Sequence, residues 1–346
     1  MKKQGVFTRD NSHYIQGIAI ILMFIHHLFA FPDRMSQKYT IIPIMDSLPL
    51  EQLIGIFGKY CVPLCLFISG YGFSIQNQAD GQYYFKKIVN FYKNYWLVFA
   101  IFIPIDYFIF HLPNINIDMR AFFQNFIGYS SSYNGEWWFI FLYLCCIAIT
   151  PLLQKTRQSI LSVVVIAFLA KDIITNVNEI NAVLNWLLAY IIGFAFGTYN
   201  TTIVKYINKI ESENNIIRLI NKIVLIVIFT SITSWCMFHW SYMSMLYLVP
   251  LLALAIRFLS DISHPFIRKG IENIGKNCIF MWLTHSFYCY HFAKDLIYFP
   301  RYTILILLNL LVVSYITSYL LIKLKEKLSL VKIPKLSSHL SLTLEK

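Results

Sequence analysis

The chain is predicted to be an all-α, polytopic membrane helix bundle, and three observations predict it. Hydrophobic residues make up 58% of it and charged residues 13%, roughly half the charge of a soluble domain. Apolar runs of about 17–25 residues, the length that crosses a bilayer as a helix, recur along it. Its Lys and Arg residues gather in alternate segments between those runs, as the positive-inside rule requires of a multi-pass chain.

Taken in order, the runs are 14–31, 53–76, 91–111, 136–154, 158–176, 181–199, 219–238, 243–259, 274–291 and 302–322. They give about ten transmembrane helices in a single domain over 1–346, without repeats or low-complexity stretches. No small-residue cleavage site follows the basic N-terminal stretch, so the first run is expected to stay as a helix. With the N-terminus inside, 22 of the 29 Lys and Arg residues fall in inner segments. The seven outer ones are Arg34, Lys38, Lys59, Arg120, Lys171, Lys294 and Arg301. Both termini are then cytoplasmic. This layout accounts for the net charge of +12 without a nucleic-acid partner and makes membrane lipid the expected surrounding. The seven cysteines lack metal-ligand spacing, so they are expected to be small buried side chains, and no metal is expected. Tyr and Trp near the outer loops read as an interfacial belt.

The first run holds the residues most costly to bury, His26 and His27, in its outer half. Ionisable groups inside a membrane usually face a cavity or a partner. Gln16 and His27 are eleven residues apart, three turns plus roughly 20°, so they share a helix face about 16 Å apart. His26 points about 100° away. A histidine at His27 is the natural general base near neutral pH. The plainer reading is a helix-end histidine reaching the interface.

The second run contains Cys61-Val-Pro-Leu-Cys-Leu-Phe-Ile-Ser-Gly-Tyr-Gly-Phe. Pro63 would open the helix locally, while Ser69, Gly70 and Gly72 allow close backbone approach. Beyond it, Lys86, Lys87 and Lys93 lie at the inner surface, either as positive-inside charge or as an anion site for a phosphate-bearing donor. The fourth run opens with Asn134-Gly-Glu-Trp-Trp. Glu136 is on the His27 side, where it would orient the imidazole or sit as a solvated acid at a helix start. His285, flanked by Thr284 and Ser286, is expected to face a cavity or to bond between helices. There is no phosphate-binding loop, no zinc-protease motif and no nucleophile elbow. His111, His239, His264, His291 and His339 carry no argued role.

These pieces resemble acyltransferase family 3. The run Gln16-Gly-Ile-Ala-Ile-Ile-Leu-Met-Phe-Ile-His26-His27 resembles its first-helix signature of an arginine, ten residues and a histidine. Val62-Pro-Leu-Cys-Leu-Phe-Ile-Ser-Gly-Tyr-Gly resembles its second-helix pattern, and Glu136-Trp-Trp through Pro151-Leu-Leu its mid-chain segment. Gly275-Lys-Asn-Cys-Ile-Phe-Met-Trp-Leu-Thr-His285 resembles its late segment. The resemblance spans about positions 10–325. His27 takes the place of the family histidine. Gln16 stands where the family has arginine, and a neutral amide cannot supply that charge.

The resemblance implies transfer of an acyl group, most often acetyl, from cytosolic acyl-CoA to a hydroxyl of a surface polysaccharide or lipid-linked sugar. It implies a multi-pass protein of a bacterial plasma membrane. His27 would be the base or carry the acyl group. Glu136, His285 and His26 would assist, and Gln16, Lys86, Lys87 and Lys93 would hold acetyl-CoA. Trp137, Trp138, Ser69 and Tyr71 would meet the acceptor. The oligomeric state is open, a homo-oligomer included. The alternative is a glycan or small-molecule transporter or flippase without acyl chemistry, against which no inverted repeat is visible.

Overall fold

The computed structural model describes residues 5–36, 38–45, 49–76, 80–110, 118–175, 185–210 and 214–330, and every regular element among them is helical apart from one isolated bridge between Ile42 and Tyr302. Helix α1 (Arg9–Phe29) opens the bundle. Thr8 caps it, its hydroxyl accepting from the Asn11 amide while the Asn11 side chain accepts from the Thr8 amide. Two otherwise unpaired N–H groups are satisfied in this way. Its 21 residues rise about 30 Å, the thickness of the hydrocarbon layer.

Helices α2 (Leu50–Phe57) and α3 (Cys61–Ile75) run through a tight turn at Gly58–Tyr60 as one apolar segment of 26 residues. Helix α4 (Gly81–Pro104) ends in a wide turn at Ile105–Ile109, and the short α5 (Met119–Phe126) follows. A tight turn at Gly135–Trp137 leads into α6 (Trp138–Lys155) and then α7 (Ile160–Thr175). Helix α8 (Leu187–Thr198) meets α9 (Asn200–Ile210) at a 74° bend. Then come α10 (Asn215–Trp235), α11 (Met245–Ile262), α12 (Pro265–Lys276) and α13 (Cys278–Cys289). The short α14 (Lys294–Tyr298) and the long α15 (Thr303–Leu330) complete the described chain.

Seven of these segments are long and apolar enough to cross a membrane, or eight if the bent α8–α9 pair is one span. That is fewer than the ten runs in the sequence, for three local reasons. The apolar part of α7 is short, and the run 181–199 starts outside the described residues, leaving α8 with 12. The run 274–291 breaks at Asn277, whose side-chain amide donates back to the Asn273 carbonyl at 2.7 Å and closes α12. Helix α13 is left with 12 residues, about 18 Å.

Named contacts fix which helix ends lie together. At the start of α1, the Asn11 side-chain amide donates to the Ser260 hydroxyl at 3.0 Å, and Lys222 pairs with Asp261 at 2.9 Å. Asn200, at the α8–α9 bend, accepts from the Val6 amide there at 2.7 Å and from Tyr71 near the close of α3. Gln154 and Arg157 each donate to carbonyls at the close of α3 at 3.0 Å, and Lys325 donates to Asn94 at 2.8 Å. We call this end the base. At the opposite end, the top, Tyr60 donates to the Thr233 carbonyl at 3.2 Å and Thr303 to the Ile42 carbonyl at 3.2 Å. Phe168 of α7 meets Tyr247 of α11 toward the same end.

Glycines set how closely the helices pack. A Cβ on Gly17 or Gly275 would overlap the backbone of Ile271 or His13, so α1 and α12 touch main chain to main chain. Gly70 and Gly193 do the same for α3 and α8. The outward surfaces of α10 and α15 are apolar, including Val227, Ile228, Leu308 and Val312, as suits contact with lipid.

Candidate active site

Helix α1 lays Gln16, Ala19, Ile20, Met23, His26 and His27 along one cavity of about 190 Å³. The face-sharing expected of Gln16 and His27 holds in space. His26 lies on it as well, because the rings of adjacent residues still converge, 5.2 Å between centroids. The opposite wall comes from Cys61, Val62, Cys65 and Ser69, from Phe91 and Tyr143, and from Cys278 and Trp282. Lys59, Glu136 and Trp138 close the top.

At that top, Nε2 of His27 stands 3.3 Å from the Glu136 carboxylate, with the two side chains 9% and 17% exposed. On the other side of the ring, the hydroxyl of Tyr290 is 2.9 Å from Nδ1 and 2.8 Å from the carbonyl of His27 itself. Tyr290 has one proton, and a carbonyl only accepts. Nδ1 of His27 therefore donates to the Tyr290 oxygen, which donates in turn to the carbonyl. This fixes the tautomer that leaves the Nε2 lone pair facing the cavity and Glu136. A proton taken up there would be received beside a carboxylate.

Glu136 is held from below. Its amide donates to the Asn134 side chain at 3.1 Å, and Asn134 donates to Ser286 at 2.7 Å. The next residue, Trp137, is fully buried and its indole donates to the Leu283 carbonyl at 3.1 Å. The turn carrying Glu136 is thus clamped to α13 at two points.

These helices enclose a mainly apolar cavity with an oriented histidine at one end and an amide at the other. The family described as an acyltransferase domain matches residues 10–323. The chain belongs to acyltransferase family 3. No curated protein and no solved structure matches it.

In this membrane acyltransferase the residues singled out from the sequence divide between the cavity and its surroundings. Gln16, His26, His27, Ser69, Glu136 and Trp138 line it. His285 lies behind the wall, its ring 4.9 Å from that of His27 and stacked on Phe24. Its Nδ1 donates to the Trp282 carbonyl at 2.6 Å, and its Nε2 has no hydrogen-bond partner among the described residues. Trp137 does not reach the cavity; its position is that of a clamp. Tyr71 does not reach it either, since its hydroxyl accepts from the Phe7 amide and donates to Asn200 at 2.7 Å, tying the N-terminal segment to the α8–α9 bend. Lys86, Lys87 and Lys93 are exposed on α4 and outside the cavity lining.

Two groups at the site were given no site role from the sequence, Lys59 in the lining and Tyr290 behind His27. Lys59 sits with its ammonium 6.0 Å from the Trp138 ring and 5.7 Å from Trp186. A lysine inside the run 53–76 is the same signal that marks His27, and it was there to be read. Tyr290 offers no such signal, because its link to His27 joins residues 263 positions apart.

Proposed function

We propose that this acyltransferase moves an acetyl group from cytosolic acyl-CoA to a hydroxyl of a surface polysaccharide or lipid-linked sugar. The observation that carries the reading is the oriented His27, with Nδ1 engaged by Tyr290 and Nε2 turned to Glu136 at the head of a cavity that runs down α1 to Gln16.

In this reading His27 takes the acceptor's hydroxyl proton at Nε2 as the oxygen attacks the thioester carbonyl. The carbon–sulfur bond breaks, and His27 returns the proton to the departing thiolate. Glu136 supports the charged imidazole between the two steps. Lys59 is the lining cation available to the developing oxyanion. The donor supplies an activated acyl group; the apolar wall of Met23, Cys61, Val62 and Cys65 suits its acyl and thioester end. With Lys59 the cavity's one cation among the described residues, the nucleotide phosphates belong outside it at the base. There Lys86, Lys87 and Lys93 remain our candidates, and Gln16 can offer a hydrogen bond where the family has a charge.

We further propose ten traverses with both termini on the cytoplasmic side, in the plasma membrane of a bacterium. The pairing of helix ends supports this: consecutive members of α1, α3, α4, α6, α7, α8, α10, α11, α13 and α15 point in alternate directions between base and top. The base then faces the cytoplasm and the top faces out.

The test is acetyl transfer by purified protein supplied with acetyl-CoA and candidate glycans, read by mass spectrometry. His27→Ala should abolish it while the protein still folds. Full activity in that variant would remove His27 as the base.

A further inference from the structure

A second cavity, of about 310 Å³, lies beyond Glu136 at the top and is lined by Arg34, Asn134, Glu136, Tyr290, His291 and Lys294. Glu136 belongs to both cavities, so the two meet at the His27–Glu136 pair. The charges around this outer cavity do not balance. Its carboxylate, Glu136, already faces His27. Asp106, itself buried, accepts from Nδ1 of His291 at 2.7 Å, and Asp295 is engaged by Lys38 and Ser36. Arg34 and Lys294 have no carboxylate partner among the described residues. The Arg34 guanidinium lies over Phe31 at 4.4 Å and Tyr290 at 5.7 Å, which holds it at the cavity without neutralising it.

The distribution of cations along the chain sharpens this. Of the seven Lys and Arg residues that the sequence assigns to outer segments, two line this one cavity. Lys38, by contrast, is paired with Asp295 at 3.5 Å, and Arg301 donates to the Thr40 carbonyl at 3.2 Å.

We propose that the outer cavity is the acceptor site and that it selects an acceptor bearing an anionic group, a carboxylate or a phosphate, close to the hydroxyl that is acylated. Arg34 and Lys294 bind that group, and the hydroxyl reaches Nε2 of His27 past Glu136. This rests on the O-acyltransferase reading above. Two cations lining one cavity favour such a group over a neutral sugar by direct charge-assisted hydrogen bonds.

Binding is measured first, without donor, on the detergent-purified full chain by thermophoresis. The probes are a uronate-containing oligosaccharide, its neutral reduced counterpart, and the neutral sugar on a lipid diphosphate. At least a tenfold tighter Kd is expected for one or both anionic probes than for the neutral one, weakening as salt rises. Arg34→Gln and Lys294→Gln should each erase most of that preference, while Lys38→Gln should keep it. The anionic probe that shows the preference identifies whether carboxylate or phosphate is the recognised group. Equal affinity for all three probes, or a preference untouched by both variants, overturns the proposal. Acetyl transfer is then assayed with the same probes. Binding with the predicted preference but no transfer to any probe would count against the enzymatic reading and leave the anion site standing.

Discussion

Tyr290 engages His27 twice, and its hydroxyl is the group that decides which imidazole nitrogen is free. Tyr290→Phe removes that hydroxyl with little change of shape. It leaves a buried N–H and a carbonyl unpaired, a loss of about 1–3 kcal/mol, or roughly 5–150-fold. The expected result is a fall in kcat of about that size with a smaller change in KM for the donor, measured by acetyl transfer on the purified variant. Unchanged kcat would mean that His27 is oriented by something else. The same residue shows what the sequence could convey about the site. Gln16 and His27 were legible as a pair because helix geometry alone puts positions eleven apart on one face. Lys59 was legible too, as a charge inside an apolar run. Glu136 was legible as a residue on the right side, but its 3.3 Å approach to His27 was not. Neither was Tyr290, nor the pairing of Asp106 with His291. Those contacts join residues far apart in the chain through the packing of α1, α4, α6 and α13, which no local pattern encodes. Trp137 was ambiguous for a related reason: an aromatic beside an acid can stack on substrate or anchor the acid, and its bond to Leu283 is a contact no local pattern encodes.

Helix contacts made through glycine backbones set the cavity's width. Gly275→Ala would drive a methyl group into the main chain of His13, at the same crossing where Gly17 meets Ile271. Separating α1 from α12 costs about 1–3 kcal/mol as overpacking, and it moves the base of the cavity. A lowered midpoint of thermal unfolding in detergent, with reduced activity, is expected. Gly72→Ala supplies the opposite case, since a Cβ there meets nothing within 4 Å. In a helix that change should leave stability level or raise it by about 0.5–1 kcal/mol. If the two variants unfold alike, helix crossings do not set the stability of the bundle. At this scale the sequence conveyed the long uniform helices well, because twenty apolar residues in a row have few alternatives. It conveyed breaks poorly. The end of α12 at Asn277 depends on one side chain turning back to Asn273, and the 74° bend between α8 and α9 on the Asn200 contacts with Tyr71 and Val6.

Across the whole molecule, the two cavities share Glu136, which stands beside His27. A donor from the base and an acceptor from the top would meet there, and this requires base and top to face opposite sides of the membrane. The segments between Lys38 and Lys87 decide the point, since α2 and α3 make one traverse between them. Both lysines are exposed, whereas all seven native cysteines are buried or half-buried, so an added thiol would stand out against a low background. With the proposed orientation, Lys38→Cys should react with a membrane-impermeant maleimide on intact cells. Lys87→Cys should react only after the cells are permeabilised. The reverse pattern would invert the protein and put the outer cavity, with Arg34 and Lys294, on the donor side. Labelling of both on intact cells would be more damaging, because base and top would then share one aqueous compartment. The His27–Glu136 pair would no longer separate a cytosolic thioester from an external sugar, and the assignment of the two cavities to donor and acceptor would fail with it.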